Sequence, residues 1–109
     1  MSLLKRFLLA GMISVTVVGL LPGIAQAANV VKARSSTFAP SSITIQAGAR
    51  VKWRNPSTRS HTVTSTSGNW SKNSNLNPGG STTFTFNQAG TYQYRCTIHA
   101  NMTGQVIVN

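Results

Sequence analysis

The 109-residue sequence contains no Asp and no Glu, against 10 Lys and Arg. Without a carboxylate side chain there is no ordinary salt bridge, and the fixed side-chain charges all repel one another, weakly at physiological ionic strength. The absence also removes whole classes of chemistry. Paired-carboxylate glycoside hydrolysis, the Ser-His-Asp triad, calcium loops and carboxylate-assisted metalloprotease sites all require Asp or Glu. Cysteine is scarce as well: Cys96 stands alone, so no disulfide can form within the chain. Histidine occurs twice, as His61 and His99. After residue 28, no stretch carries helical periodicity over ten residues.

The one long apolar run lies at the start. Met1-Ser2-Leu3-Leu4-Lys5-Arg6 is a short positive opening, residues 7–21 are apolar, and Pro22-Gly23 breaks the run before the small-residue pattern Ala25-Gln26-Ala27. This is the build of a secretory signal peptide over residues 1–27, cleaved after Ala27. It leaves residues 28–109 as one domain. The run is short of the roughly 20 residues that a bilayer-spanning helix needs, which weighs against the competing reading of a retained anchor. Lys5-Arg6 is not a twin-arginine pair, so the general secretory route is expected. The destination would be the periplasm, the extracellular space or, in a cyanobacterium, the thylakoid lumen. A lone cysteine in an exported protein risks oxidation or intermolecular pairing. A bound metal ion would hold it.

The rest of the chain reads as short strands between turn residues. Segments 30–34, 42–46, 50–55, 61–66, 81–86, 91–96 and 106–108 are β-favouring. Ile43 and Ile45 share a face, as do Val51 and Trp53, Phe84 and Phe86, and the trio Tyr92, Tyr94 and Cys96. Ala47-Gly48, Asn55-Pro56 and Ala89-Gly90 supply turns. Residues 67–80, rich in Ser, Asn and Gly, form the least regular stretch, with Trp70 and Leu76 its only large apolar residues. The pattern predicts an all-β fold, an antiparallel Greek-key sandwich of about seven to eight strands.

The chemistry gathers near the C-terminus. Cys96-Thr97-Ile98-His99-Ala100-Asn101-Met102 places a thiol, an imidazole and a thioether on one inter-strand loop, and His61 opens an earlier strand. Singly, each has a plain role: a hydrogen-bonding histidine, a small buried cysteine, a core methionine. Together they are every soft ligand type after residue 28. Thiolate and imidazole suit copper or zinc, and an added thioether shifts the balance to copper. Two His, one Cys and a weak axial Met define the blue-copper electron-transfer site. Closed coordination leaves no open position for a substrate, so a one-electron carrier is expected rather than an enzyme. Multicopper oxidases and nitrite reductases need more histidines than two. Copper storage, delivery or tolerance is the alternative, served by the same ligands. A ligating histidine needs its second nitrogen oriented. With no carboxylate, His61 must use a backbone carbonyl, a neutral side chain or buried water.

Residues 28–109 resemble the cupredoxin family, in its plastocyanin- and amicyanin-like branch, over nearly their whole length. The likeness runs through Phe38-Ala39-Pro40, Gly48, Val51-Lys52-Trp53-Arg54-Asn55, His61-Thr62-Val63 and Gly90-Thr91-Tyr92-Gln93-Tyr94-Arg95-Cys96. It ends in the Cys-x2-His-x2-Met spacing, the shorter amicyanin-like form. The resemblance implies that one type 1 copper ion is held by His61, Cys96, His99 and axial Met102. It also implies that His99 emerges through an apolar patch where a redox partner docks, with Pro56, Ile98 and Ala100 as candidates. Three positions depart from the pattern. Ile98 replaces a common Pro, Thr62 stands where plastocyanins carry Asn after the histidine, and Arg95 replaces a Tyr before the cysteine. Arg95 should point outward and bring positive charge to a docking flank.

Eight cations follow residue 28, namely Lys32, Arg34, Arg50, Lys52, Arg54, Arg59, Lys72 and Arg95. They suit steering toward an acidic redox partner or contact with an anionic membrane surface. They are dispersed along the sequence, and together with export this argues against nucleic acid as a partner. The domain is expected to act as a monomer. Asn69-Trp70-Ser71 and Asn101-Met102-Thr103 fit the glycosylation pattern and read as chance matches.

Overall fold

A computed structural model of the chain describes residues 29–109. The expected export signal at residues 1–27 lies outside the described residues. Nine strands follow in order: β1 (Val30–Ala33), β2 (Phe38–Ala39), β3 (Ser42–Ile45), β4 (Ala49–Arg54), β5 (His61–Ser65), β6 (Asn73–Leu76), β7 (Ser81–Phe86), β8 (Gly90–Arg95) and β9 (Thr103–Val108). They form a five-stranded sheet, β3-β9-β8-β5-β6, and a four-stranded sheet, β2-β1-β4-β7. Among the described residues there is no helix.

Alternation explains which faces meet. On β4, Ala49, Val51 and Trp53 are buried while Arg50, Lys52 and Arg54 are exposed. On β8, Tyr92 and Tyr94 turn inward between exposed Thr91, Gln93 and Arg95. The turn between β3 and β4 uses Gly48 at φ 94°, a left-handed conformation open to glycine without steric cost.

The prediction of an all-β sandwich holds, with two corrections. The sheets are mixed rather than antiparallel: β9 runs parallel to β3, and β1 parallel to β4. Alternation has period two whichever way a neighbour runs, so the sequence pattern carries no information on strand direction. There are also more strands than expected. β2 is only two residues long, and β6 lies within the stretch read as irregular. Asn and Ser are poor strand formers, yet β6 pairs with β5 from His61↔Leu76 to Thr64↔Asn73. Its neighbour imposes the strand.

The core between the sheets is aromatic at its centre. Trp53 meets Tyr94 edge to face with centroids 5.4 Å apart, and Phe38 meets the same ring at 4.9 Å. Trp70 closes the far side against Phe84 and Phe86, each at 5.2 Å, while its indole N–H donates to the Gln93 carbonyl at 3.0 Å. Such pairs add about 0.5–1.5 kcal/mol each beyond area burial. Gly104, paired with Tyr94 across β8 and β9, gives that ring its room, since a Cβ there would run into the Tyr94 side chain.

The Tyr94 hydroxyl and the Trp53 indole N–H are both buried with no protein partner in hydrogen-bonding geometry. Burial pushes the Tyr94 hydroxyl up from 10.0 to about 12. The unfolded chain would therefore lose this proton first, and the associated stability is present below pH 10.0 and lost as pH rises toward about 12. The loss should approach about 3 kcal/mol for a shift of this size. Denaturant melts across this range should show the decline in the native chain and a flatter profile in Tyr94→Phe.

Candidate metal centre

The backbone ladder between β5 and β8 stops at Thr64↔Arg95. Beyond that point a side chain continues the connection. The Thr97 N–H donates to the Thr62 hydroxyl oxygen at 2.9 Å, and the Thr62 N–H donates to the Cys96 sulfur at 3.4 Å. Thr62 thus fastens the segment carrying His61 to the loop carrying Cys96, where the resembled plastocyanins use Asn. The loop itself closes when the Cys96 N–H donates to the Met102 carbonyl at 2.9 Å. Asn101, at φ 62°, makes the left-handed reversal that returns Met102 to the interior. Asn is among the few residues that adopt this region readily.

His61, Cys96 and His99 converge so that one donor atom from each lies within 4.8 Å of the others. The Cys96 sulfur is 3.9 Å from His61 Nδ1 and 3.5 Å from His99 Nδ1. His61, Cys96 and Met102 are buried, and His99 is partly exposed. Met102 lines the same cleft as Cys96 and His99. Ile98, at 57 % exposure, is the one exposed large apolar side chain among the described residues. Pro56, Ala100 and Arg95 are also exposed. Ala100 flanks His99 in the loop, and Pro56 adjoins Ser57 next to His61.

Asn55, the turn residue after β4, and Ser57 orient His61. Buried Asn55 donates from Nδ2 to the carbonyls of Arg59 (2.6 Å) and Leu76 (2.9 Å), which pins the loop after β4 to β6. Its Oδ1 accepts the Ser57 N–H at 2.9 Å and the Ser57 hydroxyl at 2.6 Å. The Ser57 hydroxyl has a second acceptor in the Arg59 carbonyl at 3.2 Å. With its single proton on one of these oxygens, the Ser57 oxygen accepts from His61 Nε2, 3.2 Å away. The Nδ1 lone pair then faces Cys96 and is free for a metal. This is the neutral side-chain partner that a carboxylate-free site requires. The signal in the sequence was the Asn55-x-Ser57 spacing, the form of an Asx turn.

Burial, then the charges of His99 and Arg59, hold the His61 imidazole below its ordinary range, opposed by the Arg34 backbone. The neutral form is the ligating one. The donor set suits copper: two imidazole nitrogens and a thiol sulfur, with a thioether lining the same cleft and no hard oxygen ligand.

The sequence profile of the cupredoxin-like domain matches residues 9–108. No curated protein sequence matches the chain. Among solved structures, a reduced proline-to-phenylalanine mutant of amicyanin superposes with TM-score 0.70 and 28 % identity, covering 78 % of this chain and 90 % of that one. A reduced tryptophan-to-tyrosine mutant of amicyanin gives 0.68 and 26 %, over 73 % and 80 %. A purple cupredoxin from Nitrosopumilus maritimus gives 0.66 and 25 %, over 73 % of this chain and 98 % of that one.

Ser57→Ala should leave the fold intact and lower metal affinity about tenfold or more, as loss of a ligand-orienting partner does. Asn55→Ala, by stranding two carbonyls, should instead cost about 2–3 kcal/mol of stability. Chelator competition and denaturant melts on the two variants separate these effects.

Proposed function

The chain belongs to the cupredoxin-like family, and from that premise we propose that it is an exported one-electron carrier whose single copper ion is held by His61, Cys96, His99 and axial Met102. The observation that carries this reading is the convergence of two imidazole Nδ1 atoms on the Cys96 sulfur, all within 4.8 Å. Copper bound by such a donor set exchanges one electron between Cu(II) and Cu(I). The residues around it serve that exchange by staying still. The Thr62 N–H stabilises negative charge on the Cys96 sulfur, Ser57 holds His61 in the ligating tautomer, and buried Met102 closes the interior side.

His99 reaches the surface between Ile98 and Ala100. We read this end, with Pro56, as the docking patch for a redox protein, flanked by the charge of Arg95. A surface with cations and no carboxylates favours an acidic partner, attracted at long range and screened by salt. Residues 1–27 are read as the export signal and 28–109 as the mature domain. Mass measurement of the chain recovered from an exporting host should place its N-terminus at Ala28; an intact Met1 would defeat this reading.

Loading with Cu(II) should give an intense visible charge-transfer band that bleaches reversibly on one-electron reduction, and Cys96→Ser should abolish it. A band that persists in the variant would refute the ligand assignment. A colourless site that yields Cu(I) readily to a chelator would point to copper delivery.

A further inference from the structure

Cations that are dispersed along the sequence are brought together by strand pairing. Arg50, Lys52 and Arg54 alternate along β4 and point away from the core. Parallel pairing sets Lys32 of β1 directly beside Arg54. Alternate residues on a strand are about 7 Å apart and paired strands about 5 Å, so four cations share one face of the four-stranded sheet. On the other side of β4, the antiparallel register sets Thr85, Thr83 and Ser81 beside Arg50, Lys52 and Arg54 in turn. Like charges placed side by side on a sheet destabilise it. No carboxylate side chain exists anywhere in the sequence to offset them.

We propose that this face, Lys32, Arg50, Lys52 and Arg54 with their hydroxyl neighbours, is a docking surface for an anionic lipid bilayer. Charge selects an anionic partner, and two further features select a bilayer over a protein. Specific protein interfaces are built around a buried apolar or aromatic core, whereas this face carries no aromatic residue and its apolar side chains are the half-buried Val30 and Ala39. The only exposed large apolar residue among the described residues, Ile98, belongs to the ligand loop. A planar array of cations with hydroxyls matches a plane of phosphate headgroups. The face is built from strands of the sheet that carries neither histidine, so a protein resting on it keeps the His99 end for its redox partner. The inference does not depend on the metal.

The test uses the protein as recovered from an exporting host, identical in every variant outside the substituted positions, and vesicles of phosphatidylglycerol or of phosphatidylcholine. Three exposed face residues are neutralised together (R50Q/K52Q/R54Q) and compared with three exposed cations elsewhere (R34Q/R59Q/R95Q). At about fivefold in partitioning per near-surface cation, the first set should weaken co-sedimentation with phosphatidylglycerol vesicles by about 100-fold. The charge-matched set should weaken it far less, and salt should abolish the difference. Should the triple variant not fold, Lys32→Gln alone should still cost several-fold. Equal losses for the two triple variants, or equal binding to both lipids, would overturn the proposal. So would vesicle binding that survives R50Q/K52Q/R54Q while retention on immobilised polyglutamate is lost, an outcome that assigns the face to an acidic protein.

Discussion

Thr62 is the residue on which the site depends. Its N–H reaches the Cys96 sulfur and its hydroxyl accepts from the Thr97 N–H, across 34 and 35 positions of sequence. These two bonds begin where the β5–β8 ladder ends. They tie the Cys96 loop to the His61 strand beyond the reach of the backbone ladder. A redox metal site needs its ligands held so that a change in oxidation state moves nothing, and a threonine provides that here with one backbone and one side-chain group. The Asn55–Ser57 pair completes the arrangement from the other side, fixing which nitrogen of His61 is available.

All of this is done with neutral groups. A carboxylate is one of the usual groups that orient a ligating histidine, and it can also pair a semi-buried lysine. Here Ser57 does the first. Lys72, whose ammonium is held below its usual range by burial, is met by Ser74 Oγ at 3.1 Å, Thr82 Oγ1 at 2.7 Å and the Thr83 carbonyl at 3.2 Å. Hydroxyls and carbonyls hydrogen-bond a charge without neutralising it. The semi-buried charge is therefore met by neutral groups while the surface stays cationic, which is why that surface calls for an anionic counterpart.

Much of this was legible in the sequence because it rests on local pattern. Alternation along β4 and β8 gave the inward faces of Trp53, Tyr94 and Cys96, and the Cys96–Met102 spacing gave the loop. What was not legible depends on neighbours far away in the chain. Strand direction leaves no trace in a period of two, and the polar strand β6 exists because β5 lies beside it. The gathering of Lys32 next to Arg54 follows from a parallel pairing that no single segment encodes. Ser57 lies two residues after a turn asparagine, and its role at His61 emerges only when the loop folds back on the histidine.

The missing carboxylates also change what acid does to this protein. Ordinary domains come apart in acid largely because buried or paired carboxylates must take up protons. Here no side-chain carboxylate exists, and both histidines belong to the ligand set. The side-chain charge on the rest of the body, carried by Lys and Arg alone, stays constant from neutral pH into acid. Acid therefore acts on the metal centre rather than on paired carboxylates, since a protonated imidazole cannot ligate a metal. In an acidifying compartment such a molecule gives up its metal while the sheets that carried it remain standing.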